Sequence, residues 1–299
     1  MALKEKTKLI VILGPTSSGK SDLAVHLAKK FNGEVVSADS RQVYKGMDIG
    51  TGKITKQEMM GIPHYLLNVA SPKKRFTVTQ YVKKADKAIE KIHKIEKLPI
   101  VCGGTGFYIQ ALIDGITIPA VKPDWGLRKK LEKQITEELF QELKKLDLRR
   151  AKDIDRHNKR RLIRAIEIIV KTKKTISPIK KKQKYDVLTL GIKPEKKELQ
   201  NKIHARLLKR LKQGMVKEVK ELKKSGLSWK RLEEFGLEYR FVAFYLQNKM
   251  DYKEMTDKLQ KEIEHYAKRQ MTWFKKDKGI IWIENKKTAE TLIKKFLNS

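Results

Sequence analysis

Eight residues near the start of the chain have the types and spacing needed to hold a phosphate group. The segment reads GPTSSGKS and fits the pattern G-x-x-x-x-G-K-[ST]. Its glycines let successive backbone N–H groups turn toward an anion, Lys20 can reach the terminal phosphates, and the Ser21 hydroxyl can bind Mg²⁺. The predicted phosphate-binding loop consists of Gly14, Pro15, Thr16, Ser17, Ser18, Gly19, Lys20 and Ser21.

Asp39 is the carboxylate best placed to act together with this loop. It follows a short apolar segment, residues 34–37, that reads as a strand, and Thr105 follows another, residues 98–102. Ligands of open α/β sheets bind beyond the carboxyl ends of the strands, so both side chains are expected to face the loop. Asp39 could bind a metal ion or accept a proton from an attacking nucleophile. The strand that ends at Cys102 supplies no second carboxylate of the kind an ATPase uses for Mg²⁺.

The elements around these residues predict an α/β fold. An apolar, β-branched run at residues 8–13 precedes the loop, and a helical stretch at 22–31 follows it. Strands that alternate with helices in this way indicate a parallel sheet covered on both faces, here a P-loop NTPase-like core. The chain from residue 119 is almost wholly helical and charged, and strand character returns at residues 186–192. The predicted domains are the first part of the core (1–118), a helical insertion (119–185) and a mostly helical second part of the core (186–299).

The composition points to a polyanionic partner. Lys and Arg number 69 against 35 Asp and Glu, which gives a formal net charge of +34. Such an excess is typical of nucleic-acid binding, although solvated surface charge alone could also produce it. The single cysteine, Cys102, excludes an intramolecular disulfide and a cysteine-based zinc site. No apolar run reaches the roughly 18 to 20 residues of a membrane span, and no secretory signal is visible, so a cytoplasmic location is expected.

Several ordered blocks resemble the tRNA dimethylallyltransferases, also called tRNA isopentenyltransferases, of the bacterial type. Besides the phosphate-binding loop, they are SADSRQVYKGMDIGT from Ser37, GGTGFY from Gly103, NKRRLIRAIE from Asn158 and AKRQMTWF from Ala267. Because the similarity extends over most of the chain, it is far more specific than a phosphate-binding loop alone.

The resemblance implies transfer of a dimethylallyl group from dimethylallyl diphosphate to N6 of adenosine 37 in the tRNA anticodon stem-loop. The loop would then hold a diphosphate leaving group with Mg²⁺ at Ser21, and a monomer is expected. The residues implied in catalysis are Asp39, Thr105 and Arg206. The residues implied in tRNA binding are Asp39, Ser40, Arg41, Gln42, Thr105, Arg128, Arg160, Arg161, Leu162, Ile163 and Arg164.

The run that begins at Asn158 also carries a prediction from its spacing. Arg160 and Arg164 are four residues apart and Arg161 and Arg164 three, so one helix face can present positive charge while Leu162 and its apolar neighbours pack. A solvated amphipathic helix is the alternative for this segment. For the whole chain, a small-molecule or nucleotide kinase, an adenylate prenyltransferase and a non-enzymatic RNA-binding protein remain alternatives at this point.

Overall fold

The computed structural model describes residues 6–116, 121–177 and 182–299. The chain divides into two compact units. Residues 1–115 and 182–299 form one, the core unit, and residues 116–181 form the other, the insertion unit. The predicted insertion, 119–185, differs from this division by three or four residues at each end. Tyr185 was predicted to belong to the insertion, but it begins a strand of the core unit because it pairs with Thr7.

The core unit is built on a sheet whose described strands all pair in parallel, as the sequence predicted. The strands are β1 (Thr7–Leu13), β2 (Gly33–Ser37), β3 (His64–Tyr65), β4 (Leu98–Gly103), β5 (Tyr185–Ile192) and β6 (Ile281–Ile283). Their order is β3-β2-β4-β1-β5-β6. The central position of β1 places the phosphate-binding loop, which follows it, at the middle of the carboxyl edge. The end of β4 lies directly beside it, and the end of β2 is one strand further on.

Both faces of the sheet are buried, which explains the continuous apolar run of β1. Leu9, Val11 and Leu13 belong to the apolar cluster on one face. Ile10 and Ile12 belong to the cluster on the opposite face. Successive strand residues point to opposite sides, so a strand covered on both sides must be apolar throughout. The α/β class predicted from the sequence is thereby confirmed.

Helices cover this sheet, and further helices follow in the second half of the chain. In the core unit they are α1 (Lys20–Lys30), α2 (Lys56–Met59), α3 (Val78–Lys94), α4 (Gly106–Ile113), α9 (Lys196–Lys212), α10 (Met215–Lys224), α11 (Trp229–Phe235), α12 (Leu237–Leu246), α13 (Tyr252–Phe274) and α14 (Lys286–Asn298). Residues of α9 to α13 form an apolar cluster with Val43, Tyr44 and Met47. This packing fixes the chain that follows Asp39.

The insertion unit is a small helical body with its own core. Its helices are α5 (Trp125–Leu131), α6 (Thr136–Leu146), α7 (Leu148–Asp153) and α8 (Lys159–Thr172). Leu139 and Leu143 of α6 pack with Leu162 and Ile166 of α8. The stretch 128–146 is divided between the end of α5 and the whole of α6. The second helix has a new N-terminus, where the Ile135 N–H donates to Glu138 Oε2.

No helix within the described ranges is both long and apolar enough to cross a membrane.

Candidate active site

The predicted phosphate-binding loop opens onto a cavity of about 910 Å³ in the core unit. The cavity is lined by residues 16–22, by the turn at 39–42, by the segment 48–55 and by side chains of α9, α12 and α13. Gly14 and Pro15 are buried beneath it. The sheet therefore brings the loop and Asp39 to one cavity, as the strand order requires.

The phosphate-binding loop is folded around the N-terminus of α1. Gly19 precedes the helix with φ of +81°, and Ser17 also has a positive φ, 62°, which a residue other than glycine rarely adopts. The first N–H groups of α1 have no partner within the helix and carry its positive dipole end, so they favour an anion. Lys20 Nζ donates to the Pro15 carbonyl (3.0 Å). Burial, together with nearby Arg206, lowers the pKa of Lys20 below its usual value.

The turn after β2 orients Asp39 through hydrogen bonds to one of its oxygens. Asp39 Oδ1 accepts from the N–H of Arg41 (2.8 Å) and of Gln42 (3.3 Å). Thr105 acts on the same turn, since its Oγ1 accepts from the N–H of Ser40 (3.0 Å). Thr105 was expected to face the phosphate-binding loop. Its hydroxyl contacts the turn that carries Asp39, and Thr105 is not among the residues that line the cavity.

Two arginines of α9 contact the backbone of the segment 48–55, which lines the cavity. Arg206 Nη2 donates to the Gly52 carbonyl (3.1 Å), which also accepts from Gln42 Nε2 (3.2 Å). Arg210, which the sequence analysis did not single out, is buried and pairs with Glu238 at 2.9 Å. Burial and the neighbouring Arg210 lower the pKa of Arg206 to about 10. Arg206 therefore stays charged at neutral pH and lines the same cavity as Lys20.

Glu218 binds the backbone of residues 48–50 in the same segment. The sequence analysis did not identify this residue. Its carboxylate accepts from the N–H groups of Asp48 (2.8 Å), Ile49 (2.7 Å) and Gly50 (3.0 Å). The Tyr239 hydroxyl donates to it as well (2.7 Å). Glu218 lies on the amphipathic helix α10, where an acidic residue looks like ordinary surface charge, so no local signal marks it. Tyr239 is buried against this carboxylate.

The residues of α8 predicted to bind tRNA divide into two groups in the insertion unit. Arg160 and Arg161 are exposed. Leu162 and Ile163 are 0% and 5% exposed and belong to the apolar core of the unit. The prediction that Leu162 and Ile163 contact tRNA is therefore wrong for their side chains, because the helix period turns them inward. The burial predicted for Leu162 is confirmed.

Arg128 and Arg164 are both engaged by one buried carboxylate. Arg128 Nε and Nη2 donate to Glu167 at 2.8 and 2.7 Å, and Arg164 Nη1 donates to it at 2.5 Å. The Asp124 N–H donates as well. Burial alone would raise the pKa of Glu167, but these hydrogen bonds outweigh it and hold the pKa below the usual value. The expected face of three exposed arginines is therefore not formed, because Arg164 turns toward Glu167.

The described residues contain no cluster of three or more His, Cys, Asp or Glu side chains that could hold a metal ion by themselves. The cavity nevertheless offers donors suited to Mg²⁺ bound with a diphosphate. Ser21 is exposed at the first turn of α1, and Asp39 lines the same cavity. Mg²⁺ is commonly held by one or two protein oxygens, substrate phosphates and waters. The residues present fit that mode of binding.

The sequence is similar to proteins of one known family. The sequence model of the family described as IPP transferase matches residues 42–277. The tRNA dimethylallyltransferase of Acetivibrio thermocellus is 40% identical over 284 residues, which cover 92% of this chain and 91% of that protein. The protein named tRNA dimethylallyltransferase 1 of Syntrophus aciditrophicus is 42% identical over 284 residues, which cover 92% of this chain and 93% of that protein.

Solved structures give the same result. The full-length tRNA isopentenylpyrophosphate transferase of Bacillus halodurans superposes with a TM-score of 0.74 at 34% identity, covering 98% of this chain and 96% of that one. A eukaryotic dimethylallyltransferase, described as acting on tRNA, superposes with a TM-score of 0.77 at 30% identity, covering 89% and 69%. The chain belongs to the tRNA dimethylallyltransferase (IPP transferase) family.

Proposed function

We propose that this chain transfers the dimethylallyl group of dimethylallyl diphosphate to N6 of adenosine 37 in tRNA. The observation that carries the proposal is one cavity, lined by the phosphate-binding loop, Asp39 and Arg206, in a chain that belongs to this family. The loop is the part a kinase would share. A kinase has no use for the exposed arginines of α8, and a passive RNA-binding protein has none for Lys20 and Asp39.

The diphosphate is proposed to lie against the phosphate-binding loop and the N-terminus of α1. Lys20 and Arg206 line the cavity there as cations. As the bond between the allylic carbon and the diphosphate oxygen breaks, negative charge grows on the leaving group. Preoriented N–H groups and cations stabilise such developing charge more than they stabilise the bound substrate. Mg²⁺, held by Ser21 and the diphosphate, would supply additional positive charge at this leaving group.

Asp39 is proposed to take the proton that the nucleophile loses. The N6 nitrogen forms a bond to the allylic carbon, diphosphate departs with the electron pair of the broken C–O bond, and one N6 proton passes to the Asp39 carboxylate. Oδ1 is occupied by the Arg41 and Gln42 amides. Oδ2 accepts no hydrogen bond from the described part of the chain, so it is the oxygen assigned to the proton. An adenine amine is a weak nucleophile, so its orientation contributes as much as proton removal.

The acceptor side of the site is proposed to consist of Ser40, Arg41, Gln42 and Thr105. The target base must leave its stack to reach the cavity, and polar groups around the entry can hold its edge. The insertion unit, residues 116–181, is proposed to bind the anticodon arm through Arg160 and Arg161. Arg128 and Arg164 are proposed to support this binding mainly by stabilising the fold of the unit through their ion pairs with Glu167. The protein is proposed to act as a monomer in the cytoplasm.

The test is an incubation of purified protein with Mg²⁺, labelled dimethylallyl diphosphate and one of three acceptors, followed by nucleoside analysis. The acceptors are unmodified tRNA, AMP and ATP. We expect label as N6-dimethylallyladenosine in tRNA only. Label in AMP would assign the chain to adenylate prenyltransfer, and ATP consumption without transfer would indicate a kinase. Binding of tRNA without any transfer would leave only an RNA-binding role.

A further inference from the structure

Gln270 on α13 joins the phosphate-binding loop to the turn after β4. Its Oε1 accepts from the Thr16 N–H (2.8 Å), and its Nε2 donates to the Gly104 carbonyl (2.8 Å). The side chain is 6% exposed. A primary amide carries a donor and an acceptor on one planar group, and this orientation is the one that satisfies both backbone partners. The contact therefore needs glutamine chemistry at this position.

The two segments that Gln270 connects belong to the two sides of the proposed reaction. Thr16 lies in the loop assigned to the diphosphate. Gly104 precedes Thr105, whose hydroxyl accepts from Ser40 in the turn that carries Asp39. The phosphate-binding loop is thus linked to Asp39 by three hydrogen bonds, at Thr16, Gly104 and Ser40, and by the peptide bonds that join Gly104 to Thr105 and Asp39 to Ser40.

Close packing keeps α13 against this turn. A Cβ built on Gly104 would lie 2.3 Å from Gln270 Nε2, and one on Gly106 would lie 2.3 Å from the Trp273 ring. Both glycines let the helix approach the backbone on either side of Thr105. Interiors packed at this density are not continuously deformable, so a change at Gln270 is passed on to the turn.

We propose that Gln270 is a positioning residue that sets the separation between the allylic diphosphate and the acceptor amine. This inference rests on the proposed function. Gln270 touches neither reacting atom in the assigned roles and acts through Thr16 and Gly104. Transfer requires the two reacting atoms to be aligned within the contact distance of about 3 to 3.5 Å, and small misplacements reduce the rate strongly.

Two variants and a matched control test the proposal. Gln270→Met keeps the approximate length of the side chain and removes both hydrogen bonds. Gln270→Glu keeps an acceptor for Thr16 but places a carboxylate against the Gly104 carbonyl and near the diphosphate loop. Gln260→Met makes the same change on the same helix, at a side chain that donates to Glu264 outside the cavity.

The measurements are kcat and KM for each substrate, the tRNA Kd and the unfolding midpoint. For Gln270→Met we expect kcat to fall at least about tenfold at saturating substrates, with the tRNA Kd within about twofold. Gln270→Glu should also raise KM for dimethylallyl diphosphate, since its charge opposes the anion. A loss confined to thermal stability, or the same kcat as Gln260→Met, would overturn the proposal.

Backbone amide exchange provides a readout that does not depend on activity. In Gln270→Met, exchange should become faster in both segments, residues 14–21 and 103–108, and in Gln260→Met in neither. Unchanged exchange in both segments would refute the coupling. If the wild type and Gln260→Met both fail to transfer the label, the proposed function fails, and the exchange result still decides whether Gln270 links the two loops.

Discussion

Arginine residues are placed differently in the cavity of the core unit and on α8 of the insertion unit. In the cavity, Arg206 is largely buried and donates to a backbone carbonyl, which does not neutralise its charge. In the insertion unit, Arg128 and Arg164 share the buried carboxylate of Glu167, while Arg160 and Arg161 are exposed. The partner of each arginine therefore separates the three roles that we propose: anion binding in a cavity, stabilisation of a fold, and contact with a large polyanion.

This difference bears on the net charge of +34. A positive charge that is already paired with a buried carboxylate contributes little to counterion release, because it is largely neutralised inside the protein. A charge held beside carbonyl dipoles in a cavity keeps its attraction for an anion at close range. Composition counts both alike, so the total charge does not measure the strength of tRNA binding.

The largest effect is expected on the cavity side, at Asp39. Asp39→Asn retains an acceptor for the Arg41 and Gln42 amides but removes the base, so kcat should fall by roughly 10² to 10⁴ with tRNA affinity nearly unchanged. Single-turnover transfer of labelled dimethylallyl to tRNA checks this. The control is Asp257→Asn, at an exposed carboxylate of α13 that does not line the cavity. Normal turnover of Asp39→Asn would assign the proton to another group.

In the insertion unit, the largest effect is expected at Glu167. Glu167→Ala leaves two arginines without their carboxylate, so the free energy of unfolding of this unit should fall by about 3 kcal/mol. Arg128 and Arg164 are partly exposed, which places the cost at the lower end of the range for buried pairs. Denaturant unfolding followed by amide exchange across residues 121–177 measures it. Glu132→Ala, at an exposed carboxylate of the same unit, should change the value little.

Acid should reduce the stability that Glu167 provides. The folded-state pKa of Glu167 is lowered, so its contribution to stability is present above the unfolded value of 4.5 and is lost as pH falls through the folded value. Amide exchange can follow the free energy of unfolding of the insertion unit as pH falls below about 5. This free energy should depend less steeply on pH in Glu167→Gln than in the wild type, because the variant lacks the uptake of about one proton on unfolding. Identical acid profiles would contradict the assignment.

Arg206 should affect the diphosphate substrate selectively. Arg206→Ala removes a charged donor, so KM for dimethylallyl diphosphate should rise about tenfold to a hundredfold. In the wild type this KM should rise as pH increases through about 10, because a cation with a lowered pKa loses its charge there. Steady-state kinetics against pH tests both points. Lys196→Ala is the control, at an exposed cation of α9 that does not line the cavity.

The smallest effect is expected at an exposed arginine of α8. Arg161→Ala should weaken tRNA binding about fivefold and reduce the salt slope by about 1, since one phosphate contact is lost. Filter binding at several salt concentrations provides the measurement. Arg128→Ala serves as the comparison, because its main effect should be on unfolding. Equal salt slopes for Arg161→Ala and the wild type would show that α8 does not meet the phosphates.

Sequence reasoning reached the parts of the site that depend on local chemistry. The strand, loop and helix around Lys20 follow from an apolar run, two glycines and a helix start, all within about twenty residues. Asp39 was found because the carboxyl ends of parallel strands must meet at one edge. The helix period of α8 predicted that Leu162 is buried, and the same period argues against the tRNA contact assigned to it.

The amino-acid sequence by itself determined the α/β class and the phosphate-binding loop, because each rests on the pattern of residues within short segments. The resemblance to the family rests on blocks spread over most of the chain. Tertiary structure alone decided four contacts between residues 28 to 254 positions apart: Gln270 with Thr16, Glu218 with Asp48, Arg210 with Glu238, and Glu167 with Arg128. Such contacts form only when helices far apart in the chain pack together. The residue type alone does not show whether a side chain is buried and hydrogen-bonded or exposed, because that depends on elements far away in the chain.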